Sequence, residues 1–98
     1  MLVILSQEFI DHHLVCPPDK RRVEFVDQGG IGLYIEVRQS KPGVGVAYLR
    51  YKDRQGKTCH QKIGSTDVLS LLEIRKEAKR LKAAREIPTE WFLQNIRD

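Results

Sequence analysis

Leu33-Tyr34-Ile35-Glu36-Val37-Arg38 is the stretch on which the fold turns. Successive side chains of a strand point to opposite faces, so Leu33, Ile35 and Val37 share one face while Tyr34, Glu36 and Arg38 share the other. Downstream, Lys41-Pro42-Gly43-Val44 places Pro and Gly at the two central positions of a type II turn, where a fixed negative φ and then a positive φ are wanted. A second strand of about Val46 to Lys52 then buries Ala47, Leu49 and Tyr51 and turns Val46, Tyr48, Arg50 and Lys52 outward. Asp53-Arg54-Gln55-Gly56 fits a type I turn closed by a glycine in the left-handed region. A third strand, Lys57 to Ile63, puts Cys59, Gln61 and Ile63 inward and Thr58, His60 and Lys62 outward, and Gly64 is expected to end the sheet.

Upstream, the alternation in Val23-Glu24-Phe25-Val26 predicts a short edge strand ended by Asp27-Gln28-Gly29-Gly30. Before it, Ser6 to Leu14 predicts a short helix with Ser6 as N-cap and Phe9, Ile10, His13 and Leu14 on one face, stopped by Cys16-Pro17-Pro18-Asp19. Beyond the sheet, Ser70-Leu71-Leu72-Glu73 is a capping box, which starts a helix. Its stripe of Leu71, Ile74, Ala78, Leu81 and Ala84 suits the buried face of the sheet, whereas Arg75, Lys76, Lys79, Arg80 and Lys82 read as a solvated face. Pro88 is expected to end the helix or turn the chain, leaving Thr89 to Asp98, with Trp91, Phe92 and Leu93, as a last packed turn or a connection.

The expected class is therefore α+β: a three-stranded antiparallel sheet packed on a C-terminal helix, with a short N-terminal helix and an edge strand. At 98 residues one domain is expected, with a core over about 22–87 and 88–98 as a tail or the start of a linker to an absent domain.

The charge is unevenly spread. Residues 1–37 carry three cations against six carboxylates, residues 38–62 seven against one, and residues 63–98 seven against six, for a total of +4. The excess thus lies on the strands and turns from Arg38 to Lys62, and a local positive field attracts polyanions, nucleic acid first among them. No apolar run is long enough to span a bilayer, and Met1-Leu2-Val3-Ile4-Leu5 is too short for a signal sequence, so no membrane association and a cytoplasmic setting are expected. Cys16 and Cys59 are too few for a disulfide scaffold.

Chemistry finds little to work with. His12, His13, Cys16, Cys59 and His60 match no metal-ligand spacing, and Gly29-Gly30-Ile31-Gly32 leads into a strand where a phosphate cradle needs a helix. No acidic pair or nucleophile-base arrangement is evident, so neither metal, cofactor nor catalysis is expected. What remains is the outer sheet face, where Tyr48, Arg50 and Lys52 lie beside Thr58, His60 and Lys62, a ribbon suited to the major groove of duplex DNA. Glu36 opposes this field and is expected near its rim.

The run from Arg22-Val23-Glu24-Phe25-Val26-Asp27 through Gly32-Leu33-Tyr34-Ile35-Glu36-Val37, Leu49-Arg50-Tyr51-Lys52, Gly56-Lys57 and Ile63-Gly64 to Leu69-Ser70-Leu71-Leu72-Glu73-Ile74-Arg75 resembles the N-terminal arm-type DNA-binding domain of phage and genomic-island integrases, the tyrosine recombinases. The likeness covers about residues 6–87. It implies sequence-specific binding of arm-type sites in double-stranded DNA, with contacts on Arg50, Lys52, His60 and Lys62 and with Tyr48 and Thr58 as neighbours. It also implies a non-catalytic part of a longer integrase, partnered by that protein's catalytic and core-binding domains, with oligomers expected only for the full-length protein on DNA. Thr58-Cys59-His60-Gln61 is poorer in Arg and Lys than the family's third strand, and Ile74 stands where the family usually has alanine. Two other readings are a double-stranded RNA-binding domain, which shares the order helix, three strands, helix, and a protein-interaction module using Trp91-Phe92-Leu93.

Overall fold

A computed structural model describes residues 1–29 and 32–97, with the side chains of the last helix described as far as Ala84. Strand β1 (Leu2–Val3) precedes helix α1 (Gln7–His12), four strands β2 (Arg22–Asp27), β3 (Leu33–Arg38), β4 (Gly45–Lys52) and β5 (Thr58–Ser65), and helix α2 (Leu71–Arg97). The fold is α+β, but the sheet is five-stranded and mixed, in the order β1-β2-β3-β4-β5. The expected three-stranded antiparallel sheet is its β3-β4-β5 part, and the expected edge strand is interior. On one side of β2, Val23 pairs with Val37 and Phe25 with Ile35 of β3; on the other, β1 adds in parallel, Leu2 opposite Val26. The Val26 N–H donates to the Met1 carbonyl (2.8 Å) and the Gln28 N–H to that of Val3 (2.7 Å).

The two hairpin turns place their glycines where positive φ is needed. Gly43 has φ 82° and Gly56 φ 79°, conformations that a Cβ penalises. The Gly56 N–H donates to the Asp53 carbonyl at 3.0 Å, and Asp53 Oδ1 accepts from the N–H groups of Gln55 and Lys57, each at 2.9 Å, so this aspartate organises its own turn.

Gly64 does not end the sheet. Tyr48 pairs with Lys62 while Ala47 pairs with Gly64, so Ile63 is an extra residue at a bulge, after which Ser65 still opposes Val46. Thr66 closes this end: its N–H donates to the Gly45 carbonyl and its Oγ1 accepts from the Gly45 N–H, both at 2.9 Å.

Strand parity holds across the sheet. Val23, Phe25, Leu33, Ile35, Val37, Ala47 and Leu49 are buried on one face, which both helices cover. From α2, Leu71, Ile74 and Ala78 are buried and Leu81 packs against the core, but Ala84 is exposed, so the helix leaves the sheet after Leu81. Helix α1 is capped as expected, Ser6 Oγ accepting from the Phe9 N–H at 3.1 Å, and Phe9 meets Phe25 edge-to-face at 5.1 Å. His13 is exposed, unlike Ile10 and Leu14 beside it. The core reaches well before residue 22, because Leu5, Ile10, Leu14 and Cys16 belong to it.

The capping box forms reciprocally: the Ser70 N–H donates to Glu73 Oε1 (3.0 Å) and the Glu73 N–H to Ser70 Oγ (3.2 Å). That backbone bond holds the Glu73 carboxyl below its ordinary value. Gln7 of α1 adds a third partner, its Oε1 accepting from the Leu71 N–H at 2.8 Å. Pro88, which lacks the N–H that would reach the Ala84 carbonyl, does not end α2, which runs on to Arg97. The side chains of Trp91, Phe92 and Leu93 lie outside the described residues.

Arg75 departs from the solvated face assigned to it. Its guanidinium donates to the Leu5 carbonyl at 2.8 Å and lies 3.7 Å from Asp27 Oδ2, and Asp27 is the buried carboxylate at the end of β2. Asp27 Oδ1 also accepts from the Leu5 N–H at 3.4 Å, so one acid-base pair joins β2, α2 and the segment after β1. Breaking a charge-assisted contact to a buried acid costs more than trimming a solvated lysine. Arg75→Ala is expected to destabilise the protein by about 2 kcal/mol, against less than about 0.5 kcal/mol for Lys76→Ala. Urea midpoints of the two variants provide the comparison, and equal shifts would contradict a structural role for Arg75.

Candidate nucleic-acid interface

The other face of the sheet has no described element over it, and the even-numbered residues of β2, β3 and β4 occupy it, joined by those of β5 as far as the bulge. Register brings the six predicted site residues together as three directly opposed pairs: Tyr48 with Lys62, Arg50 with His60, and Lys52 with Thr58. From Tyr48 to Lys52 this double row runs about 13 Å at the usual rise per strand residue, comparable to a major groove about 12 Å wide. Lys52, Thr58, His60 and Lys62 are exposed, and Tyr48 and Arg50 are half-buried. Among the described residues, neither Lys52 nor Lys62 has an ion-pair partner.

Arg50 is placed differently from the two lysines. Its Nη2 donates to Glu24 Oε1 of β2 at 2.8 Å, and its Cζ lies 4.4 Å from the centre of the Tyr34 ring. Spanning β3 to reach Glu24, it is not the unopposed cation that parity alone suggests. The Glu24 bond raises the guanidinium pKa above an already high value, so Arg50 stays charged.

Tyr34 anchors this arrangement. Although it sits on the uncovered face, only 4% of it is exposed, because its own neighbours enclose it. Tyr48 stacks on it at 5.4 Å between centroids with planes 16° apart, and His60 meets it edge-on at 5.8 Å. The Tyr34 hydroxyl is 2.7 Å from His60 Nδ1. Burial, then the nearby Glu24 charge, raise the phenol above its ordinary value of 10.0, so Tyr34 is a neutral hydrogen-bonding group at physiological pH.

Glu36 is paired where the sequence suggests a rim charge. It lies 3.3 Å from Arg22 and 3.4 Å from Arg38, with 11% of its side chain exposed. Over the whole face five cations (Arg22, Arg38, Arg50, Lys52 and Lys62) stand against the two carboxylates Glu24 and Glu36. The carboxylates gather on β2 and β3, so the uncompensated charge lies toward β4 and β5.

Sequence reading missed Glu24 and Tyr34. Alternation in residues 23–26 already turned Glu24 outward, but its reach to β4 depends on strand order. Elsewhere, an open groove lined by Ile4, Asp27, Gln28, Gly29, Arg75 and Lys79 holds the acid-base pair that joins β2 to α2. Cys16 and Cys59 are free thiols, and among the described residues no cluster of His, Cys, Asp or Glu is placed to hold a metal ion. No described helix is long and apolar enough to cross a membrane.

Tyr34→Phe keeps the ring stack and removes the hydroxyl, and is expected to cost about 1 kcal/mol. Tyr34→Ala removes the platform and is expected to cost about 3 kcal/mol. Thermal or urea unfolding measures both, and near-equal small losses would show that the cluster does not organise the face. No family model, curated protein or solved structure matches the chain.

Proposed function

We propose that this chain is a non-catalytic module that binds double-stranded DNA by setting the outer face of β4 and β5 into the major groove, as the arm-site-binding part of a site-specific integrase of the tyrosine recombinase family. The observation that carries the reading is the row of three opposed pairs on an uncovered face, with Lys52 and Lys62 exposed and without ion-pair partners among the described residues. Ammonium groups so placed neutralise phosphates and release counterions. Tyr48, His60 and Thr58 between them offer hydrogen-bonding groups to base edges or sugar-phosphate oxygens. The family assignment adds the resemblance over about residues 6–87, and with it the catalytic and core-binding domains as partners.

The RNA-binding alternative has three strands between its helices. Here four strands separate α1 from α2, and a fifth precedes α1. The stretch Arg75-Lys76-Glu77-Ala78-Lys79, which resembles the basic helix start of that family, also has less to offer, because Arg75 is engaged with Asp27 and Leu5.

Fluorescence anisotropy of a labelled DNA duplex, titrated at several salt concentrations, tests the proposal. Lys62→Ala and Lys52→Ala are each expected to weaken binding and to reduce the slope of log K against log salt by about 0.9. Lys79→Ala and Lys82→Ala are expected to change it less. Unchanged affinity in both sheet variants overturns the proposal, as does loss of duplex RNA binding in the helix variants of a protein that ignores DNA.

A further inference from the structure

We propose that Glu24 is a positioning residue for Arg50, withholding its guanidinium from phosphates and holding its planar fork ready for the edge of a base. The inference rests on the DNA-binding reading of the same face and divides its cations into two kinds. Lys52 and Lys62 are exposed and have no ion-pair partner among the described residues, as suits phosphate contacts, which set register and carry no sequence information. Arg50 is restrained on two sides, by Glu24 at 2.8 Å along one edge and by the Tyr34 ring at 4.4 Å beneath. Tyr34 is itself fixed by Tyr48 and His60, so the restraint is built before any ligand arrives.

Contact with a phosphate would bring that anion against the Glu24 carboxylate, which repels it and cancels the guanidinium charge that would attract it. Contact with a base edge asks only for the remaining N–H donors in a fixed plane, the geometry in which arginine pairs with guanine acceptors. Glu24 therefore lowers indiscriminate attraction and preserves the specific contact.

The test uses the full chain and a fluorescein-labelled duplex of random sequence, with wild type, Glu24→Gln, Arg50→Ala and the double variant compared across salt. Glutamine is isosteric with glutamate and Glu24 is only half-buried, so the substitution leaves the fold in place. Glu24→Gln is expected to tighten binding and steepen the salt slope by about 0.9, equivalent to about a 3.5-fold greater loss of affinity between 50 and 200 mM salt. In the Arg50→Ala background the same substitution is expected to give no such gain. An equal gain in both backgrounds overturns the proposal, since removal of a negative charge then suffices to explain it; no gain in either does so as well. Lys62→Ala, measured alongside, separates the two levels. If its slope falls while Glu24→Gln gives no gain, only the positioning role fails, and if neither variant moves, the DNA-binding reading fails with it.

Discussion

A strand sends successive side chains to opposite faces, and in this fold both helices lie on one of them. The odd-numbered residues of β2, β3 and β4 consequently form the core, while the even-numbered ones must either meet water or enclose one another. Tyr34 shows the second outcome: it is as buried as many core residues, yet Tyr48, His60 and Arg50 cover it instead of a helix. The rigidity of the outer face thus comes from its own side chains, and a face rigid before binding loses less conformational entropy on binding.

That two-sidedness also separates structural charge from available charge. Arg75 serves Asp27, Arg22 and Arg38 flank Glu36, and Arg50 is tied to Glu24. A count of basic residues treats all of these alike, whereas the paired ones add less to long-range attraction than Lys52 and Lys62 do. Positive charge and organised donors coincide along β4 and β5, and this coincidence, more than the net charge of +4, makes the face a candidate nucleic-acid surface.

Much of this was legible in the sequence because its signals are local. Alternation in residues 33–38, 46–52 and 57–63 places side chains on the correct faces, and the turn glycines 43 and 56 adopt the positive φ that their positions ask for. What escaped is non-local. Two residues carry no period, so β1 and its parallel pairing with β2 had no signature. The extra residue at Ile63 keeps the strand going past Gly64, which punctuation by glycine alone does not anticipate. Helical spacing places Arg75 beside Lys76 and Lys79, and only the folded chain shows the buried acid at the end of β2 that it meets. The Glu24–Arg50 pair spans β3, and sequence separation says nothing about it.

The central claim, that the outer face of β4 and β5 binds duplex DNA, is tested most directly by following backbone amide NMR shifts while DNA and RNA duplexes are titrated in. DNA is expected to move Tyr48, Arg50, Lys52, Thr58, His60 and Lys62 most, with the helices little affected. Shifts centred on Lys76 and Lys79 of α2, or a response to RNA and none to DNA, would contradict it.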